Sequence, residues 1–158
     1  MLKGYRQVLL LVGGIMVMPL ALASASLTVG LGFVKTPSQR VASDFQLNLR
    51  SGTVLGVLKP TLGLEMVQGS LGYGWGGVSM DVPLDDRLAL RSGVALGFYM
   101  DERTMSVGER FRTRVQMALD YHYKPSYDLG LGLQLANNTL GFTGFHDVAA
   151  NVRYTVLF

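Results

Sequence analysis

Alternation of apolar and polar residues, sustained almost without interruption from Ser26 onward, restricts this chain more than any other feature. A period of two puts successive side chains on opposite faces, so it specifies strands with two chemically different surfaces. Leu27, Val29, Leu31 and Phe33 share one face against Ser26, Thr28, Gly30 and Gly32. Phe45, Leu47 and Leu49 alternate with Asp44, Gln46, Asn48 and Arg50. From Val54 the apolar face continues through Leu58, Leu62, Leu64 and Met66, opposite Lys59, Thr61 and Glu65. Leu71, Tyr73 and Trp75 open a fourth strand whose phase slips at Gly76-Gly77, where a bulge is expected, before Val78, Met80 and Val82 carry the apolar face onward.

The fifth strand sets Leu88, Leu90, Val94, Leu96 and Phe98 against Arg87, Arg91 and Tyr99. The sixth is the most lopsided. Phe111, Val115, Met117, Leu119, Tyr121 and Tyr123 oppose Arg110, Arg112, Arg114, Gln116, Asp120 and His122. Leu129, Leu131, Leu133 and Leu135 mark a seventh strand, and Val148 to Phe158 an eighth. Turn-forming clusters fall between them at Thr36-Pro37-Ser38, Gln68-Gly69-Ser70, residues 83–86, residues 101–106, Lys124-Pro125-Ser126 and residues 141–144.

The first 25 residues do not follow this pattern. Lys3 and Arg6 precede an apolar run from Val8 to Leu22, and small residues follow as Ala21-Leu22-Ala23 or Ala23-Ser24-Ala25. The run is shorter than the roughly 20 residues of a spanning helix and lacks a positive stop-transfer cluster, so residues 1–25 are expected to be a secretory signal peptide. One domain, residues 26–158, then remains. Without Lys3 and Arg6 the chain has 12 basic residues against 11 acidic, and no basic run, so nucleic acid is not an expected partner. The absence of cysteine excludes a disulfide scaffold, a thiolate metal site and a lipidated N-terminal cysteine.

Eight two-faced strands fit either a soluble sandwich or barrel with its apolar face inside, or a membrane barrel with the faces inverted. The inventory favours the second. The polar face carries both charge signs, including several arginines that would fill a small barrel as ion pairs, and an eight-stranded barrel has no room for more than side chains. Aromatics (Tyr73, Trp75, Phe98, Tyr121, Tyr123 and Tyr127) fall near strand ends, where an interfacial girdle would lie. The last residues, Val152-Arg153-Tyr154-Thr155-Val156-Leu157-Phe158, resemble the terminal signal of barrels inserted into the bacterial outer membrane. The expected fold is therefore an all-β, eight-stranded antiparallel transmembrane β-barrel of that membrane, with both termini periplasmic. The resemblance at Phe158 implies the barrel assembly machinery as a partner, and the fold implies outer-membrane lipid.

Four further stretches narrow the resemblance: Leu58-Lys59-Pro60-Thr61-Leu62-Gly63, Val94-Ala95-Leu96-Gly97-Phe98-Tyr99, Val107-Gly108-Glu109-Arg110-Phe111-Arg112, and Ala136-Asn137-Asn138-Thr139-Leu140-Gly141. Taken in order from about Leu55 to the end, the chain resembles the lipid A deacylase family, also described as acyloxyacyl hydrolase-like proteins. These are eight-stranded outer-membrane barrels that remove an ester-linked acyl chain from lipopolysaccharide. In the family a His-x-Ser pair in strand seven and a Glu in strand eight carry the chemistry. A serine hydroxyl needs an oriented imidazole to take its proton, and a carboxylate orients that imidazole.

This chain departs from the pattern at each of those positions. Aligned on the asparagine after the serine, Gln134 stands at the histidine and Ala136 at the serine, both opposite the leucine face. A shift of one residue restores a lipid-facing site but places Leu135 and Asn137 there. The glutamate position falls at or near Val148, with Asp147 the nearest acid. No catalytic residue is therefore assigned, and no cofactor or metal.

The two histidines offer little else. His122 is expected as a satisfied interior histidine beside Asp120, and His146-Asp147 in the last outer loop has no serine close in sequence. Asp85-Asp86 and Asp101-Glu102 read as solvated turn acids at opposite barrel ends rather than as a metal site. Asn137-Asn138-Thr139 matches a glycosylation sequon but reads more simply as a strand leading into a loop. Arg40, Arg103 and Lys124 are loop cations that either meet lipopolysaccharide phosphates or are simply solvated; strand polarity puts some of them at the periplasmic end, and none is assigned as a site. Two functions remain: a non-catalytic relative of the deacylases with a structural, lipopolysaccharide-binding or partner-binding role, or an active lipid A 3-O-deacylase.

Overall fold

A computed structural model describes residues 25–35, 41–52, 57–68, 72–99, 111–138 and 147–158. Eight strands run in chain order: β1 (Ser26–Lys35), β2 (Val41–Arg50), β3 (Lys59–Val67), β4 (Tyr73–Pro83), β5 (Leu88–Tyr99), β6 (Phe111–Lys124), β7 (Tyr127–Asn138) and β8 (Asp147–Leu157). Each pairs antiparallel with its sequence neighbour, and β8 returns to β1. Closure leaves no sheet edge, so the backbone polar groups of the strands are satisfied within the sheet, the condition for β-structure inside a bilayer.

The two faces are inverted relative to a soluble barrel. Outward, Leu31, Leu96, Leu131 and Val152 are each about 60 % exposed or more, whereas inward Arg114, Asp120 and Thr155 are 2 % exposed or less. A soluble β-protein of this size would bury the leucines and hydrate the arginines; lipid in place of water outside reverses the preference. The chain is thus an eight-stranded transmembrane β-barrel of the outer-membrane type.

Connections differ between the two ends. The end that carries Ala25 and Phe158 has connections at 51–58, 84–87 and 125–126; the opposite end has 36–40, 68–72, 100–110 and 139–146. The tightest turns lie on the first end, the periplasmic end of such barrels, and the longest loop on the second. Lys124 sits on the turn end and is thus one of the cations that strand polarity assigns to the periplasmic side. Arg40, Arg103, Asp101, Glu102 and His146 lie outside the described residues, as do Val54, Leu71 and Arg110.

The fourth strand differs from its sequence reading. Pairing of β3 with β4 and of β4 with β5 runs unbroken through Gly76 and Gly77, so no bulge shifts the phase there. Tyr73 and Trp75 instead point into the bore, buried, in line with Ser79 and Asp81, and belong to no girdle. The reason lies in the neighbouring strands. Trp75 is paired with Gly63 on β3 and Gly97 on β5, and a Cβ at Gly63 would lie 2.2 Å from its ring, while one at Gly97 would lie 2.4 Å from the Tyr73 hydroxyl. Bare backbone beside each ring makes room for both aromatics inside a bore that otherwise admits one layer of side chains. The register shift falls instead on β6, between His122 and Lys124.

Candidate functional site

Polar side chains fill the bore in two charged clusters and a central amide layer. At the turn end Asp81 is the hub. Arg50 Nη1 donates to both of its carboxylate oxygens at 2.6 and 2.7 Å, Lys59 Nζ lies at 2.9 Å and Arg91 Nε at 3.0 Å. Arg91 continues to Asp120 at 2.9 Å, and Arg153 stands 3.9 Å from the same carboxylate. His122 pairs through Nδ1 with Asp128 on the neighbouring strand, not with Asp120, and its ring is 40 % exposed at the rim. It has a carboxylate partner, but it stands at the rim rather than in the interior expected for it.

At the loop end Arg114 meets Glu65 and lies 5.0 Å above the Trp75 ring and 5.9 Å above that of Tyr73. Arg112 pairs with Asp147, which is the first residue of β8 and faces the bore; it is not part of the preceding loop. Asp44 accepts from the Gln46 side chain beside Glu65 and Arg114. Across both clusters Arg50, Lys59, Arg91, Arg112, Arg114 and Arg153 balance Asp44, Glu65, Asp81, Asp120, Asp128 and Asp147. Such balance is what allows so many buried charges within one bore.

Between the clusters Gln46 and Gln134 exchange amide hydrogen bonds from β2 to β7, with Nε2 of Gln46 donating to Oε1 of Gln134 at 3.0 Å. Asn151 Nδ2 adds a bond to Gln46 Oε1 at 3.3 Å. Thr61 donates to Asn48 at 2.7 Å, and Thr28 and Thr155 share a bond of 2.8 Å. A cavity of about 10 Å³, close to the space one water needs, lies beside these amides and is lined by Gln46, Asn48, Gln116, Gln134 and Asn151 among others.

The positions singled out by resemblance now have definite surroundings. Gln134 is buried in the bore and engaged with Gln46; Ala136 is half-buried on the same face, paired with Asp147. Leu135 and Val148 are cross-strand partners on the lipid face, flanked by Leu133 and Ala150. Asn137 lies on that outer face opposite Thr113 of β6. The lipid-facing surface of β7 and β8 near the loop end thus presents hydrocarbon at Leu135 and Val148 and no group that accepts a proton at those two positions. Among the described residues no group of three or more His, Cys, Asp or Glu side chains is arranged to hold a metal ion.

Sequence reasoning missed the Asp81 hub and the Tyr73–Trp75–Arg114 stack. Only cross-strand register reveals either, because Arg50, Lys59 and Arg91 come to Asp81 from three other strands. Gly63 and Gly97 facing the aromatic pair were the available signal.

The class defined by this geometry is a small, side-chain-filled transmembrane β-barrel, and comparison with solved structures agrees. The outer membrane enzyme PagL superposes with a TM-score of 0.62 at 9 % identity, covering 83 % of this chain and 98 % of that one. Neisserial surface protein A gives 0.62 at 10 % identity over 85 % and 96 % of the two chains. The N-terminal β-barrel domain of Pseudomonas aeruginosa OprF gives 0.59 at 9 % identity over 86 % and 98 %. At these identities the likeness is one of fold. No family model and no curated protein sequence matches the chain.

Proposed function

We propose that the protein is exported through a signal peptide over residues 1–25 and assembled into the outer membrane through its C-terminal Phe158 signal by the barrel assembly machinery. There it acts as a non-catalytic barrel related to the lipid A deacylases, with a structural role or one in binding lipopolysaccharide or a partner. The carrying observation is the placement of Gln134, Ala136, Leu135 and Val148. In one register the base position is a glutamine tied to Gln46 inside the bore; in the other, base and acid positions are aliphatic side chains facing lipid. Removal of either the nucleophile or its base is enough to abolish triad chemistry. His122, the histidine among the described residues, gives no replacement at that surface, since it stands at the opposite end of the barrel.

The test is a lipid A assay. The purified protein is incubated with lipid A in detergent micelles beside an active lipid A deacylase, and mass spectrometry follows loss of one hydroxyacyl chain. Unchanged lipid A, while the control is active, is the expected result. Loss of the acyl chain at a rate above a protein-free blank would overturn the reading and assign the chain as an active deacylase.

A further inference from the structure

Four of the chain's seven tyrosines, Tyr121, Tyr123, Tyr127 and Tyr154, gather on the outer surface of β6, β7 and β8 at the turn end. Three of them are in ring contact: Tyr127 stacks on Tyr154 with centroids 5.9 Å apart and lies 6.1 Å from Tyr123, and Tyr121 precedes Tyr123 by two residues on the same strand. A generic interfacial girdle would be spread around the barrel, yet outward positions of β1, β2, β4 and β5 at the same level are aliphatic: Leu27, Leu49, Val82 and Leu88.

Two exposed cations belong to this arc. Arg87, in the β4–β5 turn, donates Nη1 to the Tyr121 hydroxyl at 3.3 Å, and Lys124 Nζ lies 5.8 Å over the Tyr123 ring. Neither is in an ion pair among the described residues. The nearby Asp85 carboxylate accepts from the Arg87 backbone N–H at 2.7 Å, which keeps one of its oxygens on the turn rather than on the guanidinium. Tyr121 and Tyr123 are two residues apart on one strand, so their companion cations attend neighbouring outward rings at the same end of β6.

We propose that this arc is a binding site for an anionic glycerophospholipid of the phosphatidylglycerol type in the periplasmic leaflet. The phosphodiester sits between the Arg87 guanidinium, the Tyr121 hydroxyl and the Lys124 ammonium. The Tyr121 oxygen accepts from Arg87, which leaves its own O–H to donate to phosphate. Acyl chains continue up the apolar wall of Leu119, Leu129 and Leu131, all outward and exposed. Charge complementarity selects this class over a zwitterionic lipid, because each rim cation favours an anionic headgroup by about fivefold and gives a net-neutral one little. The site lies at the opposite membrane face from any contact with lipopolysaccharide and stands whether or not that contact exists.

Native mass spectrometry of the full-length protein, released from bicelles with equal phosphatidylglycerol and phosphatidylethanolamine, tests the site. Retained phosphatidylglycerol should exceed phosphatidylethanolamine by more than tenfold. R87Q and K124Q should each lower that ratio by about fivefold, and the double variant should erase it. Y121F should lower it without any change of charge. K35Q, which removes an exposed cation at the loop end, should leave it unaltered. The heat-dependent gel shift of folded barrels shows that each variant is folded, which the exposure of both cations favours. Equal retention of the two lipids by the unaltered protein would overturn the proposal. So would an equal effect of K35Q, which would mean general charge attraction, or displacement by millimolar inorganic phosphate, which would mean a free-phosphate site.

Discussion

Replacement of Asp81 by alanine should destabilise the barrel by about 3 kcal/mol, a magnitude that follows from what each neighbour loses. Arg50 and Arg91 are 6 % and 4 % exposed, so neither guanidinium reaches bulk water when the carboxylate is removed. Arg91 retains Asp120 at 2.9 Å, whereas Arg50 is left with the Ser26 hydroxyl at 3.2 Å. Lys59 is 28 % exposed and has a flexible stem, so its ammonium turns to the periplasmic water. One cation is therefore stranded. Breaking a buried pair from one side costs about 3–5 kcal/mol, and the lower figure applies because Asp81 is itself 22 % exposed at the rim. An arginine cannot escape by losing its proton.

Equilibrium unfolding in urea, with the barrel in lipid vesicles, measures this change. Trp75 is the only tryptophan, and its burial in the bore makes its emission a direct report of the folded state. A cycle with Arg50→Met identifies the cause. The double variant should recover about 2 kcal/mol of the loss, since an apolar replacement of both partners removes the stranded charge. A D81A barrel within about 0.5 kcal/mol of the unaltered protein, or losses that simply add in the double variant, would refute the hub.

Other substitutions probe the remaining layers. Gly63→Ala places a methyl group against the Trp75 ring and should cost about 1–3 kcal/mol, with a red-shifted Trp75 emission as the ring is displaced toward water. Gln134→Ala removes one half of the amide exchange across the bore and should cost about 1 kcal/mol by the same urea titration, because Gln46 retains Asp44 and Asn151. Q134H/A136S, which restores the residue types of the resemblance in the first register, should still leave lipid A intact by mass spectrometry, since both positions face the bore.

Most of the fold was legible because one physical rule governs it. Lipid outside and ion pairs inside impose alternation on every strand, and strands β1, β2, β6 and β7 display it plainly. The sixth strand, with arginines against aliphatics, predicted its own inward and outward faces. Failure came where the inside admits what the outside also favours. Tyrosine and tryptophan are welcome at a membrane interface and equally in a bore with glycine beside them, so Tyr73 and Trp75 could not be placed without knowledge that Gly63 and Gly97 are their neighbours. The apparent phase slip at Gly76-Gly77 was a consequence of that ambiguity.

The candidate site was legible in the same uneven way. Local sequence located Gln134, Ala136, Leu135 and Val148 and assigned which of them face lipid, but gave no hint that Gln134 reaches β2. Asp147 was assigned to a loop because its strand begins one residue earlier than the apolar pattern does. Long-range pairings of this kind, such as Asp81 with Arg50, Lys59 and Arg91, depend on barrel closure and register, which no window of local sequence contains.

The central claim, that the leucine-rich face meets lipid, has a direct test made simple by the absence of cysteine. Single cysteines at Leu31, Leu64, Leu96 and Leu131, outward positions on alternate strands around the barrel, are labelled with an environment-sensitive fluorophore in vesicles. The account predicts strong quenching at all four sites by bilayer-resident doxyl lipids, with protection from an aqueous quencher. Efficient aqueous quenching with no effect of the doxyl lipids would contradict it and place the barrel in water.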